Sequence, residues 1–222
     1  MRIISLNIGR SQPMKRGDKS MSTSINRRPV AGPVELTPQG FVGDSATNKK
    51  HHGGPDKAVC CYPHEHYPLW RERLNDLLEI PAFGENLTTE GLLESDVCLG
   101  DVFRIGSAMV QISQPRQPCG TLAMRNNSSE LPKWINEKAF TGFYLRVLEP
   151  GEVSVGDAIE LLRRPNRGVT IESLLRAMLD KEAPPQRLRK LIQSPELSQA
   201  WRETFQKRVA ERLAVQPDDP PE

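Results

Sequence analysis

Nine positions, "AVCCYPHEH" at residues 58–66, hold two of the four cysteines and two of the four histidines, and His51 and His52 stand just upstream in "KKHHGGPDKAV". Thiolate and imidazole are the structural ligands that zinc prefers. The spacing speaks against that metal. Neighbours on a strand point to opposite faces, so Cys60 and Cys61 cannot readily share one tetrahedral ion. His64 and His66 stand two apart at the start of a predicted helix and share no helical face. The cluster reads as core thiols and helix-start histidines.

Three loops suit chemistry better. In "HHGGPDKAV" the consecutive Gly53 and Gly54 let backbone N–H groups approach a ligand closely, and Lys57 adds a point charge. A phosphate or a pterin-type heterocycle fits that pattern, although the same residues also make an ordinary turn. In "AFGENLTT", residues 82–89, Glu85 and Asn86 offer directed hydrogen bonds. The third loop, "QISQPRQPCG" at 111–120, follows a predicted strand directly and is stiffened by two prolines. There Arg116 can favour the thiolate of Cys119 if the side chains approach, which makes Cys119 a candidate ligand or nucleophile. Metal ligand and sulfur carrier both need an accessible thiolate, so both stay open.

These loops must be held by a β-rich scaffold. "RIISLNI", "KAVCCY", "DVFRI", "AMVQIS", "FYLRVLE" and "AIELL" are short β-branched or aromatic-rich runs, and Gly106-Ser107 predicts an antiparallel hairpin between Val102–Ile105 and Ala108–Ser113. Helical spacing interrupts them at His64–Leu78 and Leu131–Phe140. The expected fold class is a β-rich mixed α/β protein, a closed or nearly closed barrel with flanking helices.

Beyond "RRPNRG" the period becomes helical. Thr170 can cap a helix with Ile171, Leu174, Leu175, Met178 and Leu179, stopped by Pro184-Pro185. A short second helix carries Leu188, Leu191 and Ile192, and Ser194-Pro195 predicts the start of a third with Leu197, Trp201, Phe205, Val209 and Leu213. The expected division is a barrel domain at 1–165, a three-helix domain at 166–215 and a solvated tail at 216–222.

Composition narrows the function classes. The 222 residues are 37% hydrophobic and 26% charged, as in a globular protein, and no run approaches the roughly 18 apolar residues of a membrane span. "MRIISLNIGR" is too short for a signal-peptide core, and four cysteines without scaffold spacing fit reduced thiols, so the expected location is cytoplasmic. The net charge of +2 is unevenly spread: residues 1–28 carry 7 basic and 1 acidic, 29–162 carry 11 and 18, and 163–212 carry 12 and 6. The basic C-terminal part has only Trp201 and Phe205 as aromatics, spaced like core residues, which argues against nucleic-acid binding.

Taken together, "GFVGD", "HGGPDKAV", "YPHEHYPLW", "AFGENLTT", "CLGDVFRIG" and "QISQPRQPC" resemble MOSC-domain proteins of the YiiM-like branch, in consistent order over about residues 2–165. The C-terminal helices resemble the three-helix domain that this branch appends. The resemblance implies a MOSC-type β-barrel and the molybdenum cofactor, a pterin dithiolene carrying Mo. It implies Cys119 as the protein's metal ligand and catalytic residue. Around it, His52, Gly53, Gly54, Lys57, Glu85, Asn86, Gln114 and Arg116 would complete the cofactor-binding set. Cys61, His64 and His51 fall outside the positions carried over. Gly120-Thr121 departs from members in which an aromatic or lysine-containing pair follows the cysteine.

The resemblance further implies reduction of N-hydroxylated compounds such as 6-N-hydroxylaminopurine, a detoxification of mutagenic base analogues. With no G-x-G-x-x-G and no CxxC, the chain has no evident means of taking hydride from a nicotinamide, so a flavoprotein reductase is expected as electron donor. A homodimer is compatible with this reading. Two alternatives stay open: a sulfurtransferase with persulfide on Cys119, and a non-enzymatic pterin- or anion-binding module.

Overall fold

The computed structural model describes residues 1–16, 19–45, 53–74 and 78–215. His51, His52 and the expected tail at 216–222 lie outside them. The strands in chain order are β1 (Arg2–Ile8), β2 (Gln12–Arg16), β3 (Lys19–Thr23), β4 (Arg28–Pro29), β5 (Val34–Thr37), β6 (Gly40–Phe41), β7 (Val59–Pro63), β8 (Leu87–Glu90), β9 (Val102–Ile105), β10 (Ala108–Pro115), β11 (Phe143–Glu149), β12 (Gly151–Val153) and β13 (Ile159–Arg163). The α-helices are α1 (Tyr67–Leu74), α2 (Gly120–Arg125), α3 (Leu131–Lys138), α4 (Ile171–Leu179), α5 (Pro185–Ile192) and α6 (Gln199–Val215). Short 3₁₀ turns cover Pro55–Lys57 and His64–His66.

Eight strands form one curled, half-barrel sheet in the order β13-β9-β10-β11-β7-β8-β1-β4. All its pairs are antiparallel except β7 with β8. The curl brings the first strand back to the last. Ile3 N–H donates to Asp157 O at 3.1 Å and Ile159 N–H to Met1 O at 3.0 Å. The expected hairpin pairs Ala108 with Ile105, and its Gly106 has φ +56° with the Glu152 carbonyl 2.2 Å from where a Cβ would stand. Only glycine fits there.

The alternation of β7 builds two cores at once. Val59 and Cys61 enter the barrel interior with Ile3, Leu6, Leu87, Phe103, Val110, Ile112, Phe143 and Leu145. Tyr62 faces the other way, into a cluster with Tyr67, Trp70, Phe83, Leu122, Leu131 and Ile135 that seats α1 to α3. Each such apolar side chain contributes about 1.5–3 kcal/mol on full burial. The thiol pair therefore does point to opposite sides, as strand geometry requires.

The C-terminal helices pack Leu174, Leu175, Leu188, Leu191, Trp201, Phe205 and Val209 with Leu99 and Ala139 from the barrel side. Thr170 caps α4 through the Ser173 amide at 3.0 Å, and Ile171 sits in the barrel core. Two helix boundaries differ from expectation. Arg208 donates to the carbonyls of Ala177 and Met178 at 3.1 Å and of Asp180, so α4 ends at Leu179, before the proline pair. The third helix starts at Gln199 and not after Ser194, because residues 194–197 form a turn clamped by Arg202, which donates to the carbonyls of Ser194 (2.8 Å) and Leu197 (3.2 Å). The helix expected over His64–Leu78 opens as a 3₁₀ turn and continues as α1, with 75–77 outside the described residues. No helix among the described residues is long and apolar enough to cross a membrane.

Candidate functional site

β10 leads directly into the loop that bears Arg116 and Cys119. Arg116 N–H is held by the Gly142 carbonyl at 3.0 Å, and Cys119 occupies the N-cap position of α2, its carbonyl accepting from Leu122 N–H at 3.0 Å. Both side chains line one solvent-open cavity. The remaining wall comes from Met21–Ile25 around the end of the β2–β3 hairpin, and from Arg27, Lys57, Cys60, Gly84, Asn86, Thr121 and Tyr144.

Three cations therefore face one space. Arg27 is held in a fork by Asp44, with Nε to Oδ1 at 3.0 Å and Nη2 to Oδ2 at 2.7 Å, while its Nη1 donates to the Gly84 carbonyl at 2.6 Å. Burial pushes the Lys57 ammonium below its usual pKa, against the opposing influence of Asp56. Arg116 is 6% exposed, and its buried Nη1 has no hydrogen-bond partner among the described residues. Burial works against its charge, but its surroundings outweigh that penalty and hold its pKa above the ordinary guanidinium value.

Burial also raises the Cys60 thiol, opposed by Arg116 and Arg27, and raises the Tyr144 phenol. Both stay protonated at neutral pH. A buried guanidinium with an unpartnered nitrogen is best satisfied when an anion joins it. The cavity is thus shaped for an anionic ligand, with the partly exposed Cys119 thiol as a soft donor in the same wall.

Of the residues singled out in the sequence, Lys57, Asn86, Arg116 and Cys119 line this cavity together. The Asn86 carboxamide is already engaged: its Oδ1 accepts from Cys60 N–H at 3.0 Å and its Nδ2 donates to Asp44 at 2.9 Å, tying the β7 wall to the Arg27 fork. Glu85 lies fully buried behind the wall, with Tyr67, Thr88 and the Phe83 amide on its carboxylate. Gln114 is buried outside the lining and donates to the Pro115 carbonyl at 3.2 Å. Gly53 and Gly54 also lie outside the lining; Gly54, at φ +94°, precedes the turn that carries Lys57. His52 is outside the described residues.

Sequence reasoning missed Arg27, Asp44, Tyr144 and the cavity-facing role of Cys60. The only signal for Arg27 was the strongly basic balance of residues 1–28.

The MOSC domain family model matches residues 48–160, spanning the Lys57 turn and the Arg116–Cys119 loop. The chain belongs to the MOSC family. Within this MOSC chain, residues 169–212 match the YiiM-like three-α-helix domain. The chain is 42% identical over 214 residues to the protein YflK of Bacillus subtilis, covering 96% of this chain and 97% of that one. The crystal structure of YiiM from Geobacillus stearothermophilus superposes with a TM-score of 0.80 at 38% identity, over 94% of this chain and 98% of that one. A Gibberella moniliformis protein named a reductase is 34% identical over 149 residues, covering 65% of this chain but only 26% of its own length. The YiiM-like branch of the MOSC family is thereby established, with its half-barrel and its appended helices.

Proposed function

We propose that this protein is a molybdenum-cofactor-dependent reductase of N-hydroxylated compounds such as 6-N-hydroxylaminopurine. The observation that carries this reading is the convergence of the Cys119 thiol with the three cationic side chains Arg27, Lys57 and Arg116 around one cavity. The likeness to a fungal reductase supports the reaction type. A dithiolene-pterin phosphate has the features this wall selects: Cys119 would hold the metal, while Arg27, Lys57 and Arg116 would take the anionic and heterocyclic parts.

Conversion of R–NH–OH to R–NH₂ and water needs two electrons and two protons, and the bound cofactor supplies the electrons. The two protons come from solvent through the open mouth, and the chain's own residues position the ligand. The Asp44 and Gly84 contacts fix Arg27 before any ligand arrives, and Asn86 pins the Cys60 strand to the same carboxylate. Met21–Thr23 complete the wall from the β2–β3 hairpin. The electrons come from a separate flavoprotein reductase in this reading.

The test is elemental analysis of wild type and Cys119→Ala from a host that makes the cofactor, paired with 6-N-hydroxylaminopurine reduction by an artificial donor. Near-stoichiometric Mo in the wild type, lost with activity in the variant, is expected. Full activity in Mo-free wild type overturns the reading, and a persulfide on Cys119 without Mo replaces it with sulfur transfer.

A further inference from the structure

Asp56 lies between the cavity and the C-terminal helices. It is the middle residue of the 3₁₀ turn Pro55–Lys57, beside the lysine that lines the cavity. Its carboxylate holds two groups: Oδ1 pairs with Nη2 of Arg146 on β11 at 2.7 Å, and Oδ2 accepts the amide of Gln199, the first residue of α6, at 3.0 Å. Its carbonyl accepts from the Ser113 hydroxyl of β10 at 2.5 Å.

Two of these partners, Ser113 and Arg146, also grip the helical module. The Ser113 carbonyl takes the Ser198 amide at 3.1 Å, and Arg146 Nη2 reaches the Glu196 carbonyl at 3.0 Å. The cavity turn itself has no buried residue, and its internal closure is the Lys57 amide to the Gly54 carbonyl at 3.0 Å. Ala58, just after the turn, enters the barrel core. The ties at Asp56 add further fixed points, one of them to the amide end of a 17-residue helix, where a carboxylate is stabilised.

The apolar contact of the helices with Leu99 and Ala139 would dock them without any of this. The polar ties do something else. We infer that the C-terminal helices set the position of Lys57, and with it the cavity's hold on an anionic ligand, through the positioning residue Asp56. This deepens the proposed function and rests on reading the cavity as an anion site.

Gln199→Pro isolates the link, because proline is well accommodated at the first helical position and lacks the amide hydrogen that Asp56 accepts. Gln199→Ala is the control: it keeps that amide and loses only the side-chain bond to Glu203 (2.7 Å). Two readouts are taken on the full chain, hydrogen exchange over residues 53–58 and calorimetric titration with inorganic phosphate. In Gln199→Pro the Lys57 amide should exchange faster, and phosphate should bind roughly fivefold more weakly, about the worth of one hydrogen bond. In a Lys57→Ala background the same substitution should change the affinity no further, which a merely structural defect would not reproduce. If Gln199→Pro does not fold, Asp56→Asn makes the hydrogen-exchange comparison alone, since loss of that charge beside Lys57 shifts phosphate affinity by itself.

Unchanged exchange over 53–58 overturns the inference, and so does an affinity loss that persists undiminished without Lys57. Absence of phosphate binding in the wild type overturns the anion reading on its own, while the exchange data still decide whether the helices position the turn.

Discussion

The Tyr67 hydroxyl lies 2.5 Å from Oε1 of Glu85, and both groups are buried. Glu85 also accepts from the Thr88 hydroxyl at 2.9 Å and the Phe83 amide at 3.0 Å, while the Tyr67 oxygen accepts from the Ala82 amide at 2.9 Å. One carboxylate and one phenol thereby lock residues 82–88, the segment that brings Gly84 and Asn86 to the cavity wall.

Tyr67→Phe should therefore destabilise the protein by about 1–3 kcal/mol, since it leaves the Ala82 amide buried and unpaired and removes a donor from Glu85. Urea unfolding measures this. A midpoint equal to wild type would show that the network contributes nothing net.

Alkaline pH should produce a cooperative loss of structure. All three tyrosines, Tyr62, Tyr67 and Tyr144, are held above their ordinary pKa chiefly by burial, as are the thiols of Cys60 and Cys61. The sign follows from where protons sit. Above the ordinary values of 9.0 for thiols and 10.0 for phenols the unfolded chain releases protons that the native state keeps, so stability present at lower pH is lost as pH rises. Tyrosinate absorbance should appear only together with unfolding; any tyrosine titrating near pH 10 while the circular dichroism stays native would contradict this.

Arg116→Met should separate stability from function. The wild-type guanidinium is buried with Nη1 unpartnered, so an apolar chain of similar reach should leave the ligand-free protein as stable or raise it by about 1–2 kcal/mol. Phosphate binding should fall at least tenfold with loss of a charge-assisted contact. A marked drop in unfolding free energy in the ligand-free variant would mean that Arg116 serves the fold.

Much of this architecture was legible in the chain. "DVFRIGSAMVQIS" announces its hairpin because a glycine-led two-residue turn separates runs that alternate correctly, and Thr170 announces α4 because a hydroxyl precedes an apolar helical period. The β2–β3 hairpin was not legible: "QPMKR" and "KSMST" each carry a single methionine among polar residues, with a proline in the first and no apolar alternation to mark a strand. At the site, Cys119 and Arg116 sit three residues apart and could be read as a pair. Arg27 and Asp44 could not, since 17 residues separate them and only the fold makes their fork. In the sequence Glu85 reads as a hydrogen-bonding carboxylate in a glycine loop, yet burial turns that carboxylate inward to hold the loop itself.

The cavity wall is assembled from residues as far apart as Met21 and Tyr144, on strands that are not neighbours in sequence. An unfolded or half-made chain offers its ligand nothing to hold. Whatever occupies the cavity therefore binds the native state alone and adds to its lifetime by mass action, about 2.7 kcal/mol at a ligand concentration one hundred times its dissociation constant. In a cell starved of that ligand, the protein would lose this stabilisation and meet proteolysis more often, making its abundance a gauge of ligand supply.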